Sequence, residues 1–187
     1  MERTAPDLYV ALIRGINVGR AKRVAMADLR AMVEGLGYRN VRTLLNSGNV
    51  VFTGSRAAPE TIASRIEKAL ERKIGVSARV IVLSAAELAR IVEENSLVGI
   101  ATNPSRLLVV VFGEVANRKL VEPLLKENWR PDGLALGGRA AYMWCPKAML
   151  ESRLPVAVGR VLGDAVTTRN WATIMKLHGL TGGRGIG

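Results

Sequence analysis

Two loops in the first quarter of the chain carry the side chains best suited to chemistry. The first loop follows an apolar run that ends at Ile13, and the second lies between two further apolar runs. Fixed positive charge combined with amide and hydroxyl donors is the chemistry that binds an anion, above all a phosphate group. Glycines in these loops leave backbone N–H groups approachable, as anion-binding concavities require. The candidate anion site consists of Arg14, Asn17, Arg20, Lys22, Asn46, Ser47 and Asn49.

A second candidate patch is formed by three consecutive polar residues near the end of the chain, Thr168, Arg169 and Asn170. They precede an apolar helical pattern that begins at Trp171, so Thr168 or Asn170 is placed to cap that helix. Capping does not explain Arg169, which is either a second anion contact or a clamp between two lobes.

A purely structural interpretation of the first site stays open beside the functional one. Asn17 is able to cap its own loop, Asn46 and Asn49 to shape a hairpin, and Arg14 to pair with an acid. The glycine patterns of the common nucleotide sites, G-x-x-x-x-G-K-[ST] and G-x-G-x-x-G, are absent, which disfavours a nucleotide site of either type.

The elements that must position these residues follow from apolar periodicity and from Gly and Pro. In the first half we expect strand, helix, strand, strand, helix, strand, which is one ferredoxin-like unit. The expected strands are residues 8–13, 41–45, 50–53 and 79–83. Ser84 and Glu87 form a capping box that begins a connecting helix.

The same order is expected again in the second half. Strands are predicted over residues 107–112, 133–138, 140–144 and 165–168. A helix is predicted over 116–127, although Pro123 disfavours it, a second helix begins near Ser152, and a last one covers 171–177. The predicted class is therefore α+β, with two tandem ferredoxin-like (βαββαβ) lobes, a connecting helix and a C-terminal helix.

The predicted domains are residues 1–83 for the first lobe, 84–106 for the connecting helix and linker, 107–180 for the second lobe, and 181–187 for a flexible glycine-rich tail. In a ferredoxin-like unit the first two strands run parallel, with the third antiparallel between them. The end of the first strand and the turn after the second then lie at one edge of the sheet, and the two candidate loops meet there.

Several motifs resemble those of one known family. They are Leu12–Gly19, Ser47–Phe52 and Thr168–Trp171, supported by Met26, Leu29, Tyr142, Leu162-Gly163, Thr173 and Lys176-Leu177. Together they resemble domain-of-unknown-function family 1697. The resemblance implies a bacterial protein with a two-lobed α+β build, and no established activity, ligand or catalytic residue. Members commonly carry a second glycine where this chain has Arg20.

Composition narrows the chemistry that the chain is able to perform. The net charge is +11, which favours anionic partners such as phosphates or nucleic acid. The chain has one cysteine, Cys145, and one histidine, His178, so we expect no internal disulfide, no metal and no cofactor. No apolar run reaches the ~20 residues of a membrane span, and we expect no membrane association and a cytoplasmic location.

Three functions remain as hypotheses. The first is a module that binds a small anionic, phosphate-bearing ligand at the edge of the first lobe. The second is an enzyme that transfers or hydrolyses a phosphate-bearing group, with Arg14, Asn17, Lys22 and Ser47 as binding and polarising groups. The third is a basic protein that associates non-specifically with nucleic acid. Sequence-specific RNA recognition is disfavoured, because Asn49 and Val51 stand where stacking aromatic residues are expected. The sequence does not indicate an oligomeric state.

Overall fold

The computed structural model describes residues 6–19 and 22–183. Among them it has eight strands and six α-helices, arranged as two four-stranded antiparallel sheets. This confirms the expected mixture of helices and antiparallel sheets. The chain divides into two compact units: the first reaches to Leu88 and includes Leu180–Gly183, and the second runs from Ala89 to Gly179.

The first unit contains four strands and two complete helices in the predicted order. They are β1 (Asp7–Ile13), α1 (Met26–Glu34), β2 (Arg39–Leu44), β3 (Asn49–Gly54), α2 (Pro59–Ala69) and β4 (Val80–Ser84). The strands lie in the order β2-β3-β1-β4, so β1 and β3 occupy the centre. Every neighbouring pair is antiparallel.

The core of the first unit lies between the sheet and its helices. Alternate residues of β1 (Tyr9, Ala11 and Ile13) join one buried cluster with Leu29 and Val33 of α1 and with residues of α2. Alternation along a strand and a 3–4 residue spacing along a helix are the patterns by which each element presents one apolar face.

Helix α2 continues beyond its last α-helical residue with a different hydrogen-bond pattern. It continues as one π-helical turn, Leu70–Ile74, and ends at Gly75, which has a φ of 73°. A left-handed residue after a helix is readily supplied by glycine.

The second unit repeats the order of elements. Helix α3 (Ala85–Glu93) contains the boundary between the units, and its capping box is present: the backbone N–H of Glu87 donates to Ser84 Oγ, and that of Ser84 donates to the Glu87 carboxylate. The remaining elements are β5 (Leu107–Phe112), α4 (Arg118–Val121), β6 (Gly133–Leu136), β7 (Ala140–Trp144), α5 (Leu154–Leu162), β8 (Val166–Asn170) and α6 (Trp171–Leu180). The sheet order is β6-β7-β5-β8.

The helix predicted over residues 116–127 is wrong as one continuous helix. Only Arg118–Val121 is α-helical, and the segments Val115–Asn117 and Glu122–Lys126 on either side are 3₁₀ turns. Pro123 is the physical reason, because it has no N–H to donate and its ring obstructs the preceding turn.

Two further boundaries differ from expectation. Strand β2 ends at Leu44, and Leu45 lies in the turn with a φ of 57°. Strand β8 continues to Asn170, so Thr168 and Arg169 lie in a strand. The predicted tail, 181–187, lies partly outside the described residues.

Candidate functional site

The loop between β1 and α1 meets the β2–β3 turn at one edge of the first sheet, as the strand order requires. The N–H of Ile13, the last residue of β1, donates to Gly48 O in the turn at 2.8 Å. The N–H of Arg14 donates to Arg79 O at 2.8 Å. These two bonds hold the end of β1 between the turn and the residue that precedes β4.

Gly48 is required at this edge for two reasons. Its φ is 73°, and a Cβ at this position would lie 2.9 Å from Ile13 Cβ and 3.0 Å from Ile13 O. It would also lie 2.9 Å from Ile16 Cδ1. A side chain here would therefore separate the turn from the loop.

Both polar atoms of the Asn17 side-chain amide form hydrogen bonds inside its own loop. Its Nδ2 donates to Val24 O at 2.9 Å, and its Oδ1 accepts the N–H of Val24 at 2.8 Å. Its own N–H donates to Lys22 O at 3.1 Å. Asn17 therefore shapes the loop, as the structural interpretation expects.

Asn49 is fully buried and holds the turn together. Its Nδ2 donates to Leu44 O at 3.0 Å and to Ser47 Oγ at 2.9 Å. The Asn49 side chain therefore stabilises the hairpin, as the structural interpretation expects. Asn46 is exposed in the same turn.

The backbone of the β1–α1 loop alternates in the sign of φ. Gly15, Asn17 and Gly19 have φ values of 67°, 56° and 61°, whereas the residues between them have negative φ. Such alternation turns successive N–H groups toward one concavity, which is the geometry of an anion-binding nest. Among the described residues, no hydrogen bond is made by the N–H groups of Gly15, Ile16, Val18 and Gly19.

Cationic residues lie in this loop and at its edge. Arg14 is half-buried, and Lys22 is exposed with a φ of 51°. A lysine in the left-handed region is uncommon, and such strain is concentrated at functional sites. Arg20, the remaining predicted cation, lies outside the described residues. Arg79 lies at the same edge, because its carbonyl accepts the N–H of Arg14. It was not predicted as a site residue. Its position immediately before β4, which pairs with β1, is the sequence signal that could have indicated it.

The second patch has a structural explanation for one of its three residues. Asn170 Oδ1 accepts the N–H of Thr173 at 2.9 Å and so caps α6. Arg169 Nη1 donates to Thr167 Oγ1 and to Thr168 O, both at 2.9 Å. Burial lowers the pKa of Arg169 to about 10, and the guanidinium therefore stays charged at neutral pH.

Cys145 and its surroundings in the second unit do not form an activated nucleophile. Cys145 is fully buried, and burial raises the pKa of its thiol. Ser152 Oγ donates to Asp132 and accepts the N–H of Leu154, the first residue of α5. In the part of the chain that the structure describes, no three His, Cys, Asp or Glu side chains are grouped as metal ligands. None of the described helices is long and apolar enough to cross a membrane.

Comparison with known proteins places the chain in a family. The family described as "Protein of unknown function (DUF1697)" matches residues 7–142. The chain belongs to this family. The β1–α1 loop and the β2–β3 turn both lie inside the range matched to DUF1697, whereas the second patch lies beyond it.

A solved structure is similar over nearly the whole chain. It is that of conserved bacterial protein SP0830 from Streptococcus pneumoniae, which is 21% identical in sequence. The TM-score is 0.74, and the match covers 95% of this chain and 99% of that one. The likeness shows that the two proteins share a fold. No curated protein matches the sequence.

Proposed function

We propose that this DUF1697 protein binds a small phosphate-bearing anion at the β1–α1 loop of its first unit. The observation that carries the proposal is the loop backbone, with left-handed residues at positions 15, 17 and 19. Four of its N–H groups have no partner among the described residues. An anion bound in the loop would accept hydrogen bonds from these N–H groups without any rearrangement of the chain.

The scaffold around the loop supports a preformed site. Ile16 is buried against the hairpin, and the two bonds between Asn17 and Val24 fix the return of the loop toward α1. A site that is already ordered loses little conformational entropy when a ligand binds. Lys22 adds a fixed positive charge to the amide dipoles, and charge-assisted hydrogen bonds are about twice as strong as neutral ones.

A binding module is favoured over an enzyme by the distribution of reactive groups. The only histidine and the only cysteine of the chain, His178 and Cys145, both belong to the second unit. The loop itself offers cations and N–H groups, which hold an anion and polarise it. A general base beside a nucleophile is what hydrolysis or transfer would need in addition.

We further propose that each unit is a ferredoxin-like lobe, since both have the order βαββαβ and the same strand order. A cytoplasmic location in a bacterium is part of the same proposal, and it rests on the sequence, which has one cysteine and no apolar run long enough to span a membrane.

A thermal-shift screen tests the binding proposal, with inorganic phosphate, pyrophosphate, sugar phosphates, nucleotides and a short oligonucleotide. A ligand at about 100 times its Kd stabilises the folded state by about 2.7 kcal/mol, which is several degrees. We expect a shift with a small phosphate compound that is lost in Arg14→Gln/Lys22→Gln. The control is Arg42→Gln, which removes an exposed charge from β2 and should keep the shift.

Two results would reject the proposal. One is a shift that survives in the loop variant, because the ligand then binds elsewhere. The other is a shift with the oligonucleotide alone that disappears with added salt, because that behaviour is typical of non-specific backbone contacts and favours the nucleic-acid hypothesis.

A further inference from the structure

A second basic feature of the first unit lies on its helical side. The end of α2 and its π-helical turn border a surface pocket of about 240 Å³. Four of the six side chains around it are cationic, and no acidic side chain is among them: Leu36, Arg65, Lys68, Ala69, Arg72 and Lys73.

Three of the four cations lie close enough on α2 and its π-helical turn to repel one another. Arg65 and Lys68 are three residues apart, and Lys68 and Arg72 are four apart, so they are neighbours on one helix face. Like charges at these spacings repel. Among the described residues no carboxylate forms an ion pair with any of the four. An anionic ligand would remove this repulsion.

Two of the guanidinium groups are held in place by the protein. Arg65 Nη2 donates to Leu36 O at 3.0 Å, and its guanidinium carbon lies 5.4 Å from the centre of the Tyr38 ring. Arg72 Nε donates to Lys68 O at 3.4 Å. Each guanidinium retains further N–H donors, because it carries five and these bonds use one.

The π-helical turn places the fourth cation beside the end of α1. Lys73 Nζ lies 3.3 Å from the position that a Cβ of Gly35 would occupy, and Gly35 follows α1. One extra residue in a turn changes which side chains share a helix face, and π-helical turns are frequent at functional sites.

The remaining lining is apolar. Ala69 is buried in the core of the unit, and Leu36 is half-buried against the same core. Apolar lining with a few convergent charged groups is the usual make-up of a small-molecule site. A bare phosphate ion would leave this apolar surface uncovered.

We propose that this pocket binds a phosphate monoester with a small apolar body, of the size and chemistry of an aryl or short alkyl phosphate. The dianionic phosphate contacts the cations, and the apolar body covers Leu36 and Ala69. This site goes beyond the one proposed at the β1–α1 loop and uses none of its residues.

An NMR titration of ¹⁵N-labelled protein with phenyl phosphate tests the proposal, with inorganic phosphate and phenol as matched probes. We expect the amide signals of Leu36 and Ala69 to shift, with phenyl phosphate binding at least about tenfold more tightly than either probe. Lys68→Gln/Arg72→Gln should weaken phenyl phosphate about tenfold or more, because each charged hydrogen bond contributes about that factor. Both side chains are exposed, so the fold should be kept.

Matched variants separate this site from the loop. Read at the amide signals of Leu36 and Ala69, phenyl phosphate binding should be unchanged in Arg14→Gln/Lys22→Gln and in Arg42→Gln. At these two signals, equal affinity for phenyl phosphate and inorganic phosphate would overturn the proposal, and so would a Kd that is unchanged in Lys68→Gln/Arg72→Gln. Tighter binding of a short DNA duplex than of phenyl phosphate, lost with added salt, would also overturn it. If only Arg14→Gln/Lys22→Gln loses the binding of inorganic phosphate, that result tests the site at the β1–α1 loop and not this pocket.

Discussion

Replacing Gly48 by alanine is the sharpest test of how the candidate edge is built. The φ of 73° costs an alanine about 1 kcal/mol. The new Cβ would also lie 2.9 Å from Ile13 Cβ and 3.0 Å from Ile13 O. The backbone oxygen cannot rotate away, and overpacking of this kind costs about 1–3 kcal/mol. Gly48→Ala should therefore lower the free energy of unfolding by about 2–4 kcal/mol.

Gly75→Ala is a closely matched control. Gly75 has the same φ of 73°, but a Cβ there would meet nothing within 4 Å. It should cost only the left-handed conformation, about 1 kcal/mol. The difference between the two variants then isolates the contact between the turn and β1.

Urea unfolding followed by far-UV circular dichroism measures both variants. With a slope of roughly 1 kcal/mol per molar urea for a small unit, Gly48→Ala should unfold at least about 1 M earlier than Gly75→Ala. All three tryptophans (129, 144 and 171) belong to the second unit, so their fluorescence shows whether that unit is affected. Equal midpoints for the two variants would refute the close approach of the turn to β1.

Three further predictions concern individual polar side chains. Because burial raises the pKa of Cys145, the native protein should resist Ellman's reagent at pH 8 and react fully in urea; fast native reaction would contradict its burial. Burial also raises the pKa of Tyr142, whose hydroxyl donates to Ile91 O at 2.7 Å. The unfolded state therefore loses the hydroxyl proton at a lower pH than the folded state, and the free energy of unfolding should fall as pH rises above ~10. Tyr142→Phe should lower the free energy of unfolding by about 1 kcal/mol and reduce that fall, as measured by urea unfolding at several pH values. Asn17→Ala should lower the free energy of unfolding by about 2 kcal/mol, because it removes the two bonds to Val24. Asn17→Gly should lower it by about 1 kcal/mol less, because glycine adopts the φ of 56° without strain. Equal losses in the two variants would show that the backbone conformation contributes nothing.

The order of the elements was predictable because it rests on strong local signals. Apolar runs and glycine stops marked β1 and β4 to within a residue, and the capping box at Ser84 located the start of α3. Pro123 signalled a break, but the sequence does not say that the break leaves only four residues of α-helix. That outcome depends on the local backbone on both sides of the proline.

The position of the candidate site was predictable from the sequence, whereas the roles of its individual side chains were less so. The meeting of the β1–α1 loop with the hairpin follows from strand order, which the sequence implied. The use of the Asn17 and Asn49 amides inside the scaffold was recognised only as an alternative, because turn chemistry and ligand chemistry employ the same residue type. The left-handed Leu45 and Lys22 were not predictable, since neither residue type favours that conformation.

The basic pocket beside α2 could not be predicted from spacing. The segment Leu70–Ile74 has the sequence of an ordinary helix, and only the backbone shows its π-helical hydrogen bonds. The pocket also needs Leu36 from α1's end, about 30 residues earlier in the chain, and that proximity is a product of tertiary packing.

Titration of ¹⁵N-labelled protein with inorganic phosphate and pyrophosphate tests the central claim most directly, with the amide signals of the β1–α1 loop as the readout. The account predicts saturable shifts at Gly15, Ile16, Val18 and Gly19, since a hydrogen bond to an anion strongly changes the environment of an N–H group. Lys22→Gln should weaken binding about tenfold and leave the positions of the free signals elsewhere unchanged. Shifts that spare these four amides, or that grow without saturating, would contradict an anion site at this loop.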